Sequence, residues 1–390
     1  MMDPELSVLL HCADWRGLME SQIQVELSER FNRQTDPALE RHIEELWTER
    51  ISKEPWIFNG AKFRLHSFCL TSPKHPSCSE SLHVPPLNCE EEEGGLNSRK
   101  TAEGLCTRDS LHPQNHLDQR NKFASQVENA SCTPAPSSST CGCKEEGVTA
   151  SPSSKTTNNK DSENLLTLRL GLTSYKDYLG TNWSCQVEEL RRRGEVEFGD
   201  PQALLAQPLG VGAVLCTDDG QVVLIRRSQR VAEAGGLLDI PGGHPEPKVV
   251  CERFGEVVSE EQINVEMLRP RSEAVVSELF SSICAEIRDE VNVPLTSLGE
   301  PVLMGIALNH TSAGRPSAEF YVSCSLTSDE VRKLYWKGGA EAHESTDIVF
   351  LSKNDMLQLD RSCPLWSELC PSAKGAMLLY QTVKPDGDKY

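Results

Sequence analysis

The chain has 390 residues, room for one large or two ordinary domains, and its hydrophobic content of 38 % is low enough that part of it lies outside any core. A formal net charge of −19 argues against a general binder of nucleic-acid backbone, though not against a local basic pocket for a small anion. No apolar run is long enough for a membrane span.

The start, Met1-Met2-Asp3-Pro4-Glu5-Leu6, lacks the basic and apolar regions of a secretory signal. The 15 cysteines are odd in number and scattered, with Cys216, Cys284 and Cys324 inside apolar patterns. Both features point to reduced thiols without a disulfide framework, in the cytoplasm with the nucleus also open. Residues 1–20 show little pattern. From Gln22 to Trp47 the apolar positions Ile23, Leu27, Phe31, Leu39, Ile43 and Leu46 are spaced as in helices. Trp56-Ile57-Phe58 follows Pro55 and, too apolar for a free loop, reads as core packing. A strand is expected over 63–70.

From 71 to 163 the chain is rich in Ser, Pro, Asn, Glu, Lys and Thr, with Phe123 as its lone aromatic residue. Such a tract cannot bury enough surface to offset its ordering entropy, so disorder is expected. It interrupts a hairpin between 63–70 and 165–172, at small cost because closure entropy grows logarithmically with loop length. Cys141 and Cys143 form a Cys-x-Cys pair with no second ligand pair at a zinc-site spacing.

Order resumes at Leu165. Tyr175 and Tyr178 precede a helix expected over 183–193, and another is expected over 201–206. Strands at 211–217 and 221–227 flank Asp218-Asp219-Gly220, a hairpin signal. Arg227 ends its strand before a loop at 228–236, a place suited to bidentate phosphate binding, while Arg226 points to the opposite face. Leu237-Leu238-Asp239-Ile240 leads into Pro241-Gly242-Gly243-His244-Pro245-Glu246-Pro247. The two glycines permit positive φ and close backbone approach.

A helix is expected over 278–293. Val276, Leu279, Phe280, Ile283, Ile287 and Val291 fall on one stripe, and Glu286 and Glu290 lie a turn apart on one face. Glu290 is rotated by only about 20° from Ile283, which puts a carboxylate at the core margin and calls for a partner. A hard divalent cation is one such partner, and an ordinary acidic helix face with Arg288 nearby is the other reading. Strands follow at 302–308, 319–326 and 347–351, with a polar loop at 309–317 that contains Gly314 and Arg315. A helix over 328–335 has Thr327 as its N-cap. The last helix runs from 371 to 380.

Gly243, Glu286, Ile287, Glu290 and Val293 resemble the Nudix box, a glycine followed at fixed spacing by R-E-U-x-E-E-x-G-U, with U a bulky aliphatic residue. The box departs from the pattern at Ala285, Asp289 and Asn292, which stand for arginine, glutamate and glycine. Its early glutamate falls on Ser277, with Glu278 one place out of register, and extra chain from Lys248 to about Ala274 separates the two parts. The stretches 168–175, 179–183, 242–247 and 370–376 look like the animal branch similar to UDP-glucose and UDP-galactose pyrophosphatases.

The resemblance implies an α/β chain with the Nudix α/β/α sandwich and a mixed sheet over 208–390. An N-terminal accessory α+β region (1–70 and 164–207) would carry the insertion (71–163). It also implies magnesium-dependent hydrolysis of UDP-sugars to UMP and sugar 1-phosphate, with Glu286 and Glu290 as catalytic metal ligands. Asp289 is expected to face solvent. Phe58 and Tyr175 are candidates to stack on uracil, and Asp239 to accept from uracil or ribose. His244 is placed to donate to the diphosphate, and Glu246 to meet a metal-bound water or a substrate hydroxyl. Ser372 opens a helix whose NH groups attract oxygen-rich groups. His343-Glu344 is too weak a pair to add. Another nucleoside diphosphate derivative, such as ADP-ribose or coenzyme A, stays open as substrate, as does an inactive nucleotide-binding module. The expected partner is a nucleotide sugar, with no nucleic acid or membrane and no indication of oligomeric state.

Overall fold

The computed structural model describes residues 3–71, 165–231 and 233–387. The expected disordered insertion, with Cys141 and Cys143, lies outside them. In chain order the strands are β1 (Leu6–His11), β2 (Ile23–Leu27), β3 (Ala61–Leu70), β4 (Leu166–Ser174), β5 (Gly210–Cys216), β6 (Gln221–Arg227), β7 (Leu238–Asp239), β8 (Gly242–Gly243), β9 (Val302–Asn309), β10 (Arg315–Ser323) and β11 (Ser345–Ser352). The helices are α1 (Pro37–Lys53), α2 (Tyr175–Gly180), α3 (Val187–Phe198), α4 (Pro247–Arg253), α5 (Val265–Leu268), α6 (Ser272–Val291), α7 (Ser328–Tyr335), α8 (Lys353–Gln358), α9 (Pro364–Glu368) and α10 (Pro371–Val383).

The main sheet has the order β1-β9-β10-β5-β6-β11, with β7 on β6 and β8 on β5. The β10–β5 pair is parallel, while β1–β9, β9–β10, β5–β6 and β6–β11 are antiparallel. The central strands are apolar on both faces, as strands covered on both sides must be. Ala213, Leu215, Val223 and Ile225 pack with Ile283 and Ile287 of α6. Val214, Val222 and Leu224, the alternate residues, pack with Ala373, Ala376 and Met377 of α10. Helix, sheet and helix therefore form the three layers of an α/β/α sandwich. A second sheet, β2-β4-β3, adds Val25, Leu168 and Phe63 to the α6 side of the core. Its β3–β4 pair is antiparallel, as the interrupted hairpin required.

Several expectations need correction. Ile23, Leu27 and Phe31 do not share an α-helix: Ile23, Val25 and Leu27 are the buried side of β2, and Phe31 ends a short 3-10 turn. The period-two reading of Ile-Gln-Val-Glu-Leu wins because the strand pairs with β4 while Ile23, Val25 and Leu27 turn into the core. The helix starts only at Pro37, where Asp36 accepts from the Ala38 and Leu39 amides at 2.9 Å each. Tyr175 and Tyr178 do precede the expected helix, which starts at Val187 instead of 183, but they lie in a short helix of their own, α2. Residues 201–206 form buried turns instead of a helix. The patternless start supplies β1, which pairs along β9. The extra chain after Lys248 folds into α4, α5 and short 3-10 turns beside α6. Cys216 and Cys324 are buried free thiols, whereas Cys284 is half-buried. Among the described residues no helix is long and apolar enough to cross a membrane.

Candidate active site

The site begins where the Gly-Gly segment lies against β5. Gly242 and Gly243 pair with Gly212 and Val211, and the Ala213 amide donates to the Pro241 carbonyl at 2.9 Å. Neither glycine has positive φ. Close approach is what demands them: a Cβ on Gly242 would stand 2.4 Å from the Val211 carbonyl oxygen, and one on Gly243 would stand 1.9 Å from Glu286 Oε1.

Three carboxylates of α6 hold this loop from below. Glu290 Oε2 accepts from the Gly242 amide at 2.9 Å, and Glu286 accepts from the backbone of His244. Glu278, the residue out of register in the box, accepts from the Glu246 amide at 3.1 Å and from Arg253 at 2.5 Å. It is thus tied into the loop and paired, whereas Glu286 and Glu290 face each other's charge. Burial, then the like charge of Glu341, pushes Glu286 up to about 7. Burial, then Glu286 itself, pushes Glu290 well above the ordinary carboxylate range. Lys62 opposes the rise at Glu286, but its ammonium is hydrogen-bonded to Glu246 at 3.3 Å.

A buried carboxylate and a half-buried one, a helical turn apart and both held by backbone amides, fit a hard divalent cation. Among the described residues no group of three or more His, Cys, Asp or Glu side chains is arranged to hold an ion on its own. Asp289, as expected, turns away from the pair and bonds Arg288 at 2.6 Å.

Above the loop opens a cleft of about 570 Å³. Phe58, Tyr175, Arg227 and His244 all line it, so four of the expected residues meet there. Trp56 and Phe58 are 72 % and 70 % exposed, which corrects their reading as core: they form a wall of the cleft. Burial, reinforced by Lys62 and Arg315, lowers the pKa of His244 well below its ordinary range, so the ring is neutral at pH 7. Glu246 lines neither this cleft nor the cavity beside it.

That second, polar cavity of about 220 Å³ holds Asp239 and Ser372. Ser372 Oγ donates to Asp239 Oδ1 at 3.0 Å, and Arg227 donates to Asp239 Oδ2 at 3.1 Å. Arg226 points to the opposite face, to the Gly236 carbonyl and Glu368.

Sequence reasoning missed the centre of the cleft. Glu233 accepts from Ser312 at 2.9 Å, from Arg315 at 3.2 Å and from the Tyr178 hydroxyl. Tyr178 in turn stacks on Trp183, with ring centroids 5.9 Å apart. Arg315 falls in an expected polar loop by sequence, but it starts β10, and the alternation extended back from Glu319 through Ser317 reaches it. Glu344, set aside as weak, lines the cleft, and its charge raises both Glu286 and Glu290.

Glu319 of β10 is fully buried, and neither carboxylate oxygen has a hydrogen-bond partner. Burial pushes it up to about 8. The unfolded chain releases this proton in the ordinary carboxylate range, so the group's contribution to stability is full below that range and is lost as pH rises towards 8. Glu319→Gln is therefore expected to melt above the wild type at pH 8, with the gap closing towards pH 5. Thermal melts across that range check it, and a gap that does not grow with pH would refute it.

No family model matches the chain. It is 40 % identical over 383 residues to the uridine diphosphate glucose pyrophosphatase NUDT22 of Bos taurus, an alignment covering 98 % of this chain and 99 % of the relative. The same identity over 383 residues holds for the Homo sapiens protein of that name, with 98 % and 94 % covered. Nudix hydrolase 9 of Arabidopsis thaliana is 27 % identical over 368 residues, 93 % of this chain and 89 % of the relative. Among solved structures, the MutT protein of Methanosarcina mazei Go1 is 14 % identical with a TM-score of 0.27, over 46 % of this chain and 95 % of that one. A Nudix hydrolase from M. smegmatis, RenU, is 13 % identical with a TM-score of 0.26, over 46 % and 88 %. Those scores are too low to carry an argument.

Proposed function

This chain belongs to the Nudix hydrolase family, and from that premise we propose that it hydrolyses the diphosphate bond of UDP-sugars such as UDP-glucose and UDP-galactose, giving UMP and a sugar 1-phosphate, with magnesium as its metal. The observation that carries this reading is the placing of Glu286 and Glu290 against the loop of Gly242 to His244, whose His244 lines a cleft walled by exposed aromatic rings. Glu286 and Glu290 are the residues that would hold the ion. When bound, the ion supplies positive charge against the diphosphate oxygens.

The chain's own groups do the positioning, which is most of what phosphoryl chemistry asks of a protein. Arg227 and Arg315 offer guanidiniums to the phosphates from β6 and β10. Neutral His244 offers one hydrogen bond without adding charge. Phe58 and Tyr175 hold the uracil between flat apolar faces. The accessory region (1–70 and 164–207) thus delivers the base, while the sandwich (208–390) delivers the carboxylates and arginines. Glu246 steadies Lys62 at the rim, and Asp239 with Ser372 holds Arg227 in place. Buried free thiols suit a reducing compartment, and the cytoplasm, with the nucleus also open, is the proposed location.

The test is turnover of UDP-glucose by the full chain as magnesium is titrated, with UMP and glucose 1-phosphate measured. Turnover that requires the ion supports the reading. Faster turnover of ADP-ribose or coenzyme A would move the substrate class, and binding of UDP-glucose without turnover would leave a nucleotide-binding module. Phe58→Ala and Tyr175→Ala are expected to raise KM about tenfold with little change in kcat, because the base is held alike in ground and transition states. Wild-type KM in both folded variants would show that the base lies elsewhere.

A further inference from the structure

We propose that the smaller cavity beside the main cleft is the subsite for the hexosyl group, an inference that rests on the UDP-sugar reading above. The two spaces differ in the way the two ends of a nucleotide sugar differ. The wide cleft is walled by Trp56, Phe58 and Tyr175, flat apolar faces suited to a base. The small cavity, about 220 Å³, suits a single sugar ring and is lined mostly by polar side chains. A hexose presents hydroxyls that both donate and accept, together with a face of C–H groups. Asn309 and Thr311 offer donors and acceptors, Asp239 and Glu233 offer acceptors, and Trp183 offers an aromatic surface.

The spaces are contiguous. Arg227, Glu233, Arg315 and Trp183 line both. A diphosphate joining a base in one to a sugar in the other would therefore pass the two guanidiniums. Asn309 sits at the end of β9, where its Oδ1 accepts from the Thr311 amide at 3.0 Å and from the Thr311 hydroxyl at 2.7 Å. Its Nδ2 has only a long 3.4 Å contact to Ser312 Oγ, so it retains a donor to give. Asn309 and Thr311 are thus assigned as residues that set sugar specificity and take no part in cleavage.

The test compares UDP-glucose with the methyl ester of uridine diphosphate, which has the same diphosphate bond and base but no sugar. In Asn309→Ala, the ratio of kcat/KM for UDP-glucose to that for the methyl ester is expected to fall about tenfold, the loss of one or two hydrogen bonds. Thr311→Val, at an exposed side chain, serves as the second variant should Asn309→Ala disturb the turn. A shifted preference between UDP-glucose and UDP-galactose in either variant adds support. Equal losses on both substrates, or no loss on either, would overturn the subsite and leave the hydrolase reading standing. A wild-type protein that turns over neither substrate would overturn the hydrolase reading, and the subsite with it.

Discussion

Glutamine at position 286 or 290 is expected to lower kcat for UDP-glucose by about three orders of magnitude, the scale of removing a well-placed group that stabilises charge. The substitution keeps the size and helix propensity of the side chain and removes one anionic ligand. At position 290 the amide oxygen still accepts from the Gly242 backbone, so the loop keeps its anchor. Folding should survive and improve in ion-free buffer. Burial raises both carboxylates, Glu286 to about 7, so their contribution to stability is full at acid pH and is lost as pH rises, for Glu286 through about 7. The gain in melting temperature over the wild type should therefore be larger at pH 8 than at pH 5, and added magnesium should stabilise the wild type more than either variant. Asp289→Asn should do far less, since that side chain pairs with Arg288 at the surface. Turnover undiminished in both glutamine variants would sink the metal assignment. Loss of folding in Glu290→Gln would mark that carboxylate as structural.

The helix that carries this pair was legible in the sequence because its signal is local. Val276, Leu279, Ile283 and Ile287 repeat at helical spacing, and all four are buried. The same locality misled at Ile23, Leu27 and Phe31, where helical and strand spacings coincide at every fourth residue and only the pairing of β2 with β4 decides. Trp56 and Phe58 were misread for a different reason: apolar character says that a side chain prefers cover, not whether the chain or a ligand supplies it. The Glu233 hub could not be read at all. Tyr178 is far in sequence from Ser312 and Arg315, and Glu233 is far from all three, so only the packing of α2 and β10 around Glu233 brings them together. Glu286 and Glu290 were found because one helix holds both.

Gly243→Ala should abolish turnover nearly as completely as Glu286→Gln, while costing little stability. The alanine Cβ would stand 1.9 Å from Glu286 Oε1, 2.3 Å from Cδ and 2.8 Å from Oε2, all closer than atoms can approach. Something must move, and the carboxylate is the far end of a flexible side chain, whereas the backbone at 243 is fixed by its pairing with Val211. The backbone tolerates the change, because Gly243 does not need positive φ. The expected result is a folded protein whose Glu286 is pushed out of the site. The double variant Gly243→Ala/Glu286→Gln makes the argument quantitative. If both substitutions act by removing the same carboxylate, their effects on kcat/KM will not add, and the double variant should be about as slow as either single one. Additive losses would mean that Gly243 acts on something other than Glu286, such as the direct approach of the loop to the diphosphate. Unimpaired turnover in Gly243→Ala would show that cleavage does not need the Glu286 carboxylate where it now stands, and would remove it from the set of ligands.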